Sequence, residues 1–342
     1  MLVVKRIRVG VMGAGTIVSQ RHLPELSSHP EVEVVGVADL DSARARLMCD
    51  TYGIAEAFGG PSGWSTMLEK TCPEAVYVAT PNAWHCRMTL AALERGAHVL
   101  VEKPIAPNTE DGRAMVLAAE ERQLVLAVGH HRRGMDLYQM CRRKLEDGII
   151  GDVIGARMLL GHNLARVWAS ASWLTASPDQ GGVLLDLGTH AIDTILWLLG
   201  RDVLAVGGRA MQSRQGRSPD AGLIWMQLAG DVYATVEVSW RLDPTTKNLY
   251  IFGEKGTIVA DETDGQGGTL RVMSAESAGT ALPARTVLNS AGLPDYGVTT
   301  GFVDAICGRD APWLCLGRDG LQAVDVVERA LRSSKSQEEP IP

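Results

Sequence analysis

The sequence has no C-x-x-C pair. Its six cysteines, at positions 49, 72, 86, 141, 307 and 315, form no close His/Cys cluster of the kind that tetrahedral zinc requires, so no metal is assigned. The thiols read as small buried hydrophobes in a reducing compartment. An excess of positive charge is missing too. Lys+Arg number 33 against 40 Asp+Glu, a net charge of -7, which gives no general attraction for a phosphate backbone or an anionic bilayer; neither nucleic acid nor membrane is expected as a partner. No stretch reaches the roughly 18 consecutive apolar residues of a spanning helix. The opening MLVVKRIRVGVMGAG is interrupted by a glycine-rich turn before a cleavage site can form, so it does not read as a signal peptide. These absences leave a soluble cytoplasmic protein as the expectation.

The chain has 342 residues, 46% hydrophobic and 21% charged, with 37 Gly and 15 Pro. That is a folded chain of roughly two domains, since one core rarely grows to this size. From residue 1 to 127 short apolar runs alternate with longer mixed segments. Strands are expected over 7–12, 32–39, 75–80, 98–104 and 124–129, and helices over 16–29, 42–53, 84–96 and 108–123, with Asn108 or Thr109 capping the last. Runs that are apolar throughout and separated by helices predict a parallel sheet covered on both faces, wound by right-handed crossovers.

The first strand runs into GVMGAGTIV. Gly13 permits a tight turn, Gly15 lets a pyrophosphate approach, and Thr16 and Ile17 begin the helix whose N–H groups would receive it. Val18 stands where this fingerprint has Gly or Ala. Asp39, at the end of the second strand, fits the acid that binds a ribose 2′-hydroxyl and would repel a 2′-phosphate, so NAD is expected over NADP.

From residue 128 to 342 the pattern changes to clustered strands, at 153–161, 203–210, 223–229, 232–240, 246–253 and 256–260. In YATVEVSW (233–240) Ala234, Val236, Val238 and Trp240 share one face, as in an antiparallel sheet with one side on a core. This predicts an α+β domain with a large, mostly antiparallel open-faced sheet and helices on one side. Two helices are expected near the end of the chain, over 296–310 and 317–335, the latter an amphipathic helix able to pack back on the first domain.

Between the strands at 153–161 and 203–210, over 185–199, Ile192, Ile195, Leu196 and Leu199 define one apolar stripe. Asp186, His190 and Asp193 fall on the opposite side. On residues alone this reads either as a solvated polar face or as a proton-transfer site. Gly188 inside the helix suggests close approach of another group. His22 is a candidate for the cofactor side, and Trp168 and Trp173, in the segment after His162, for a substrate rim or an interface.

With the fingerprint, ATPNAWH (79–85), VEKP (101–104) and GGVLLDLGTHAID (181–193) occur in an order and spacing that resemble the glucose-fructose oxidoreductase / inositol dehydrogenase / MocA (Gfo/Idh/MocA) family. The resemblance implies an α/β chain whose N-terminal Rossmann domain binds a nicotinamide cofactor, and a C-terminal domain on the substrate side. It implies hydride transfer at a hydroxyl or keto carbon of a sugar or cyclitol, and homo-oligomers paired through the open sheet. Carried over by position, Thr80, Pro81, Asn82 and His85 are cofactor-side residues. Lys103 contacts substrate oxygen, with Glu102 and Pro104 as its neighbours and the proline cis. Asp186 and His190 match the family's D-x-G-x-H pattern, the histidine being the acid/base. VGHHRRG (128–134) resembles the exit from the Rossmann domain and makes His131 and Arg133 candidate substrate residues, although Gly134, Met135 and Asp136 depart from the residues several relatives carry there. A non-catalytic NAD(P) sensor, or an enzyme using NAD transiently for hydrolysis or epimerisation of a glycoside, is the competing expectation.

Asp39→Ser is expected to relax the preference for NAD(H) over NADP(H) in parallel fluorescence titrations. Tighter binding of NADP by the unaltered protein would overturn the assignment of Asp39.

Overall fold

The computed structural model describes residues 6–164, 182–212, 218–263, 267–274, 282–283, 287–288 and 294–336. The chain forms two compact units: residues 1–131 with 287–321, and residues 132–286 with 322–342. Among the described residues no helix is long and apolar enough to cross a membrane.

The first unit begins with β1 (Ile7–Met12), a π-helical turn over Val18–His22 and α1 (Leu23–Ser28). It continues through β2 (Val32–Asp39), α2 (Ser42–Tyr52), β3 (Ala57–Gly59), α3 (Gly63–Thr71), β4 (Ala75–Val78), α4 (His85–Glu94), β5 (His98–Val101), α5 (Thr109–Glu121) and β6 (Leu126–Val128). Local chemistry sets the boundaries. Asp41 caps α2 by accepting the N–H groups of Ala43 and Arg44, and left-handed Gly53 ends it. Asn108 accepts the N–H of Asp111 at the start of α5, where Glu110 and Asp111 also favour the helix dipole. β3 and α3, in a stretch to which the sequence reading gives no element, are too short and too mixed in composition to show a clear period.

The second unit comprises α6 (Asp136–Glu146), β7 (Val153–Asn163), a π-helical stretch over Leu184–Gly188, α7 (Thr189–Leu199), β8 (Val203–Met211), β9 (Ala221–Leu228), β10 (Val232–Ser239), β11 (Arg241–Gly253), β12 (Thr257–Asp261), β13 (Thr269–Met273) and β14 (Leu282–Pro283). After it come the short hairpin β15 (Val287–Leu288) and β16 (Pro294–Asp295), then α8 (Val298–Ile306), β17 (Cys315–Leu316) and α9 (Gly317–Ser336).

The first sheet has the order β17-β6-β5-β4-β1-β2-β3. It is parallel except for β17, which pairs antiparallel with β6. Segment 287–321 thus returns to the first unit, although the sequence reading places all residues beyond 127 in the second domain. Phe302, Val303 and Leu314 fill its core beside Tyr77 and Leu100, and Tyr77 Oη donates to Thr299 Oγ1, which donates to Glu25. Nothing local in 287–321 names partners some 200 residues away.

The second sheet runs β14-β13-β12-β11-β7-β10-β9-β8 and is antiparallel except for the β7–β10 pair. Met158, Leu160, Ala234, Val236, Val238, Leu249 and Ile251 are buried on one face, against which α7 packs. Leu223, Trp225 and Tyr233 stand exposed on the other. One expectation for α7 needs correction. Its apolar stripe is present, but Ala191, Asp193 and Thr194 are buried as well, so the helix has core on almost every side and its polar residues are not a solvated face. Nor does another group crowd Gly188: a Cβ there would meet nothing closer than 3.9 Å. That glycine lies at the end of the π-helical stretch instead.

Candidate active site

In the first unit the glycine turn is defined by backbone proximity. Gly13 has φ +100°, and a Cβ on it would sit 2.2 Å from the carbonyl oxygen of Ala79 at the end of β4. Its N–H donates to the carbonyl of Ala38. A Cβ on Gly15, by contrast, would have nothing within 4 Å. That open space adjoins Thr16 and Ile17, whose N–H groups, as the first of a helix, have no intrahelical acceptor. Asp39 Oδ2 accepts the N–H of Ala14 at 2.7 Å and Oδ1 that of Asp41 at 2.8 Å, so the carboxylate ties the end of β2 to the glycine turn. Open space, oriented donors and an acid at the strand end fit a dinucleotide's pyrophosphate and ribose. Val18, at the departing position of the fingerprint, is fully buried in the core.

Two loops lie beside this turn. After β4, Thr80 is half-buried, Pro81 exposed and Asn82 buried in a 3-10 turn. After β5, Glu102 and Lys103 are half-buried and Pro104 is buried. The Lys103–Pro104 peptide bond is cis. His85 is fully buried; its ring nitrogens lie 2.8 Å from the carbonyl oxygens of Pro104 and Thr80. Glu102 Oε1 meets His22 Nε2 at 2.9 Å, and Oε2 accepts the N–H of Lys103. Burial works to raise the Glu102 pKa. The His22 hydrogen bond and the charges of His22, Lys103 and Arg21 overcome it, leaving the carboxyl at about 2. Gly129 makes room for this group, since a Cβ there would fall 2.9 Å from it. His131 stacks on Tyr296, and the Arg21 guanidinium lies over the same ring.

In the second unit His190 is buried at the start of α7. Asp186, one turn earlier, accepts the indole N–H of Trp240 at 3.0 Å. Asp193 is 2% exposed and holds Arg133 bidentately, at 2.7 and 3.1 Å, so the guanidinium assigned to substrate by resemblance is engaged by α7. Arg132 reaches Glu262, which also takes hydrogen bonds from Tyr138 and Lys247. The sequence reading missed both ion pairs, because no local pattern couples arginines at 132 and 133 to acids 60 and 130 residues away. Trp168 and Trp173 lie outside the described residues.

Residues 7–130 match the oxidoreductase family described as an NAD-binding Rossmann fold, and residues 138–259 match the GFO/IDH/MocA C-terminal domain. The chain belongs to the Gfo/Idh/MocA family. Among its relatives is the dTDP-3,4-didehydro-2,6-dideoxy-alpha-D-glucose 3-reductase of Streptomyces violaceoruber, 33% identical over 64% of this chain. The chain spans 62% of that protein's length. The 1,5-anhydro-D-fructose reductase of Ensifer adhaerens is 28% identical over 92% of each chain. In fold, the chain resembles the WlbA dehydrogenase of Bordetella pertussis, solved in complex with NADH and UDP-GlcNAcA, with a TM-score of 0.82 at 22% identity over 99% of each chain. A Gfo/Idh/MocA chain accounts for both the parallel first sheet and the mixed, largely antiparallel second one.

The depressed Glu102 pKa has a thermodynamic consequence. A carboxyl held at about 2 against a reference of 4.5 contributes stability that is present above pH 4.5 and is lost as pH falls toward 2. Glu102→Gln should therefore be less stable than the unaltered protein at neutral pH and should lose less stability across that acid window in urea titrations. Identical acid slopes would show that the pair does not stabilise the fold.

Proposed function

We propose that this protein is an NAD-dependent oxidoreductase acting on a hydroxyl or keto carbon of a sugar, cyclitol or sugar derivative. The observation that carries this reading is the glycine turn, closed on the Ala79 carbonyl at Gly13 and open at Gly15. It is supported by family membership and by relatives that are reductases of sugar derivatives.

When bound, the nicotinamide supplies the hydride acceptor or donor. Gly13, Gly15, Thr16 and Ile17 receive the pyrophosphate, Asp39 receives the ribose, and Thr80, Pro81 and Asn82 form the neighbouring loop. Lys103 stabilises negative charge developing on the reacting oxygen. His190 takes the hydroxyl proton in oxidation and returns it in reduction. Asp186 orients His190 or binds a neighbouring hydroxyl. His131 and Arg133 complete the substrate side, with Arg133 acting while held by Asp193, and Trp168 and Trp173 are assigned to a substrate rim or an interface. The six free cysteines fit a cytoplasmic location.

The test is a panel of cyclitols, aldoses and keto-sugars followed by nicotinamide absorbance. Single-turnover transfer should fall about 100-fold or more in His190→Ala, the scale of a lost acid/base, with NAD affinity nearly unchanged. Lys103→Ala should also depress turnover. Cofactor binding without hydride transfer to any substrate would favour a sensor, and turnover without net reduced cofactor would favour transient use of NAD. A normal rate in His190→Ala would move the proton to another residue.

The exposed face of the second sheet supports a homo-oligomer. Leu223, Trp225 and Tyr233, on adjacent strands, are each at least 40% exposed, an apolar grouping of the kind a second copy covers. Sedimentation should show an oligomer for the unaltered protein and a smaller species for Trp225→Glu. A monomer in the unaltered protein would remove this assignment.

A further inference from the structure

Lys103 lies in a turn without regular structure, between β5 and α5, and such a turn needs other contacts to hold one conformation. Its preceding neighbour is anchored: the Glu102 carboxylate is held by His22 and takes the Lys103 N–H itself. The following residue, Pro104, has no N–H to donate, so its carbonyl is the backbone group by which that side of the turn can be tied. His85 meets this carbonyl at 2.8 Å and with its other nitrogen meets Thr80 O, also at 2.8 Å. Thr80 follows Ala79, whose carbonyl is the surface on which the Gly13 turn closes. One imidazole thus joins the loop carrying Lys103 to the loop under the glycine turn. The ring is 0% exposed, which leaves it no route to a cofactor or substrate except through the groups it touches. Burial pushes its pKa down, while the two carbonyls and the charge of Glu102 pull the other way.

We propose that His85 is a positioning residue for Lys103. It does not touch a ligand: it fixes the backbone on the far side of Lys103 from the Glu102 anchor and sets the distance from the amine to the glycine turn. The proposal rests on the reading that Lys103 acts at the reacting oxygen, and it replaces a cofactor contact for His85 with a mechanical one. Histidine suits the position because both ends of its ring are polar and rigidly spaced. Phenylalanine would fill a similar volume but remove the ring N–H available to these carbonyls, whereas glutamine would keep a donor for one of them.

The first experiment needs no substrate. The full chain is reductively methylated with formaldehyde and dimethylamine-borane, and modification at each lysine is followed by peptide mass spectrometry. In His85→Phe the rate at Lys103 should change by about threefold or more, the scale of coupling between residues in one network, while Lys70 and Lys144 keep their rates. His85→Gln should return Lys103 part of the way, and it carries the test alone if His85→Phe fails to fold. An unchanged Lys103 rate in a folded variant overturns the proposal.

The second experiment is a double-mutant cycle on single-turnover hydride transfer. The loss caused by Lys103→Ala should shrink by about threefold or more in the His85→Phe background, with steady-state KM, measured separately, nearly constant; independent, multiplying losses would overturn a role through Lys103. If methylation responds to His85 but Lys103→Ala leaves the rate of transfer unchanged, the catalytic role of Lys103 fails while its positioning by His85 stands.

Discussion

The first unit is organised around a place where two backbones come closer than any side chain would allow. β1 and β4 are adjacent parallel strands, and just beyond them the turn at Gly13 rests on the carbonyl of Ala79. This contact sets the level at which a ligand can approach Gly15 and the level of the loop carrying Thr80. From Thr80 the spacing passes through His85 to Pro104, and from Glu102 through His22 back to the helix that begins at the glycine turn. Each link is polar and largely buried, where a lost partner costs more than the bond itself contributes. The turn, the lysine loop and the first helix therefore hold one another in register.

The second unit obtains comparable definition from adjacent arginines. Arg133 pairs with Asp193 on α7, and Arg132 with Glu262 just after β12. Burial works to raise the Glu262 pKa, and Arg132 and Lys247 hold it below the usual range. Buried pairs of this kind are not strong net stabilisers. Removing one partner, however, typically costs about 3–5 kcal/mol, because the other charge stays behind. Two consecutive residues thus pin a helix and a sheet strand to the same point, and the helix is the one that carries His190.

What could be read from the sequence follows the range of the forces involved. β1, β2 and α2 follow from short-range signals: continuous apolar runs, an Asp cap and a closing glycine. The alternation in β10 predicts its buried face residue by residue. The burial of α7 escaped because Asp193 looks like a solvent-facing residue until Arg133 is brought to it. His85 sits inside a motif that names it but does not say that both ring nitrogens face carbonyls. β3 and α3 were missed for lack of length, and the return of 287–321 for lack of any local trace of its distant neighbours.

That return has a consequence for the order of events during synthesis. The first 131 residues include six strands of the first sheet, but Phe302, Val303 and Leu314 of the same core, and the β17 edge strand, are made only after the whole second-unit sheet. Until then Tyr77 and Leu100 lack part of their packing and β6 presents an unpaired edge. Closing that gap means bridging a loop of well over a hundred residues, a slow, non-local step. The Rossmann half of the chain, though made before the second unit, is completed only after it, and until then its open β6 edge is available to a non-native strand.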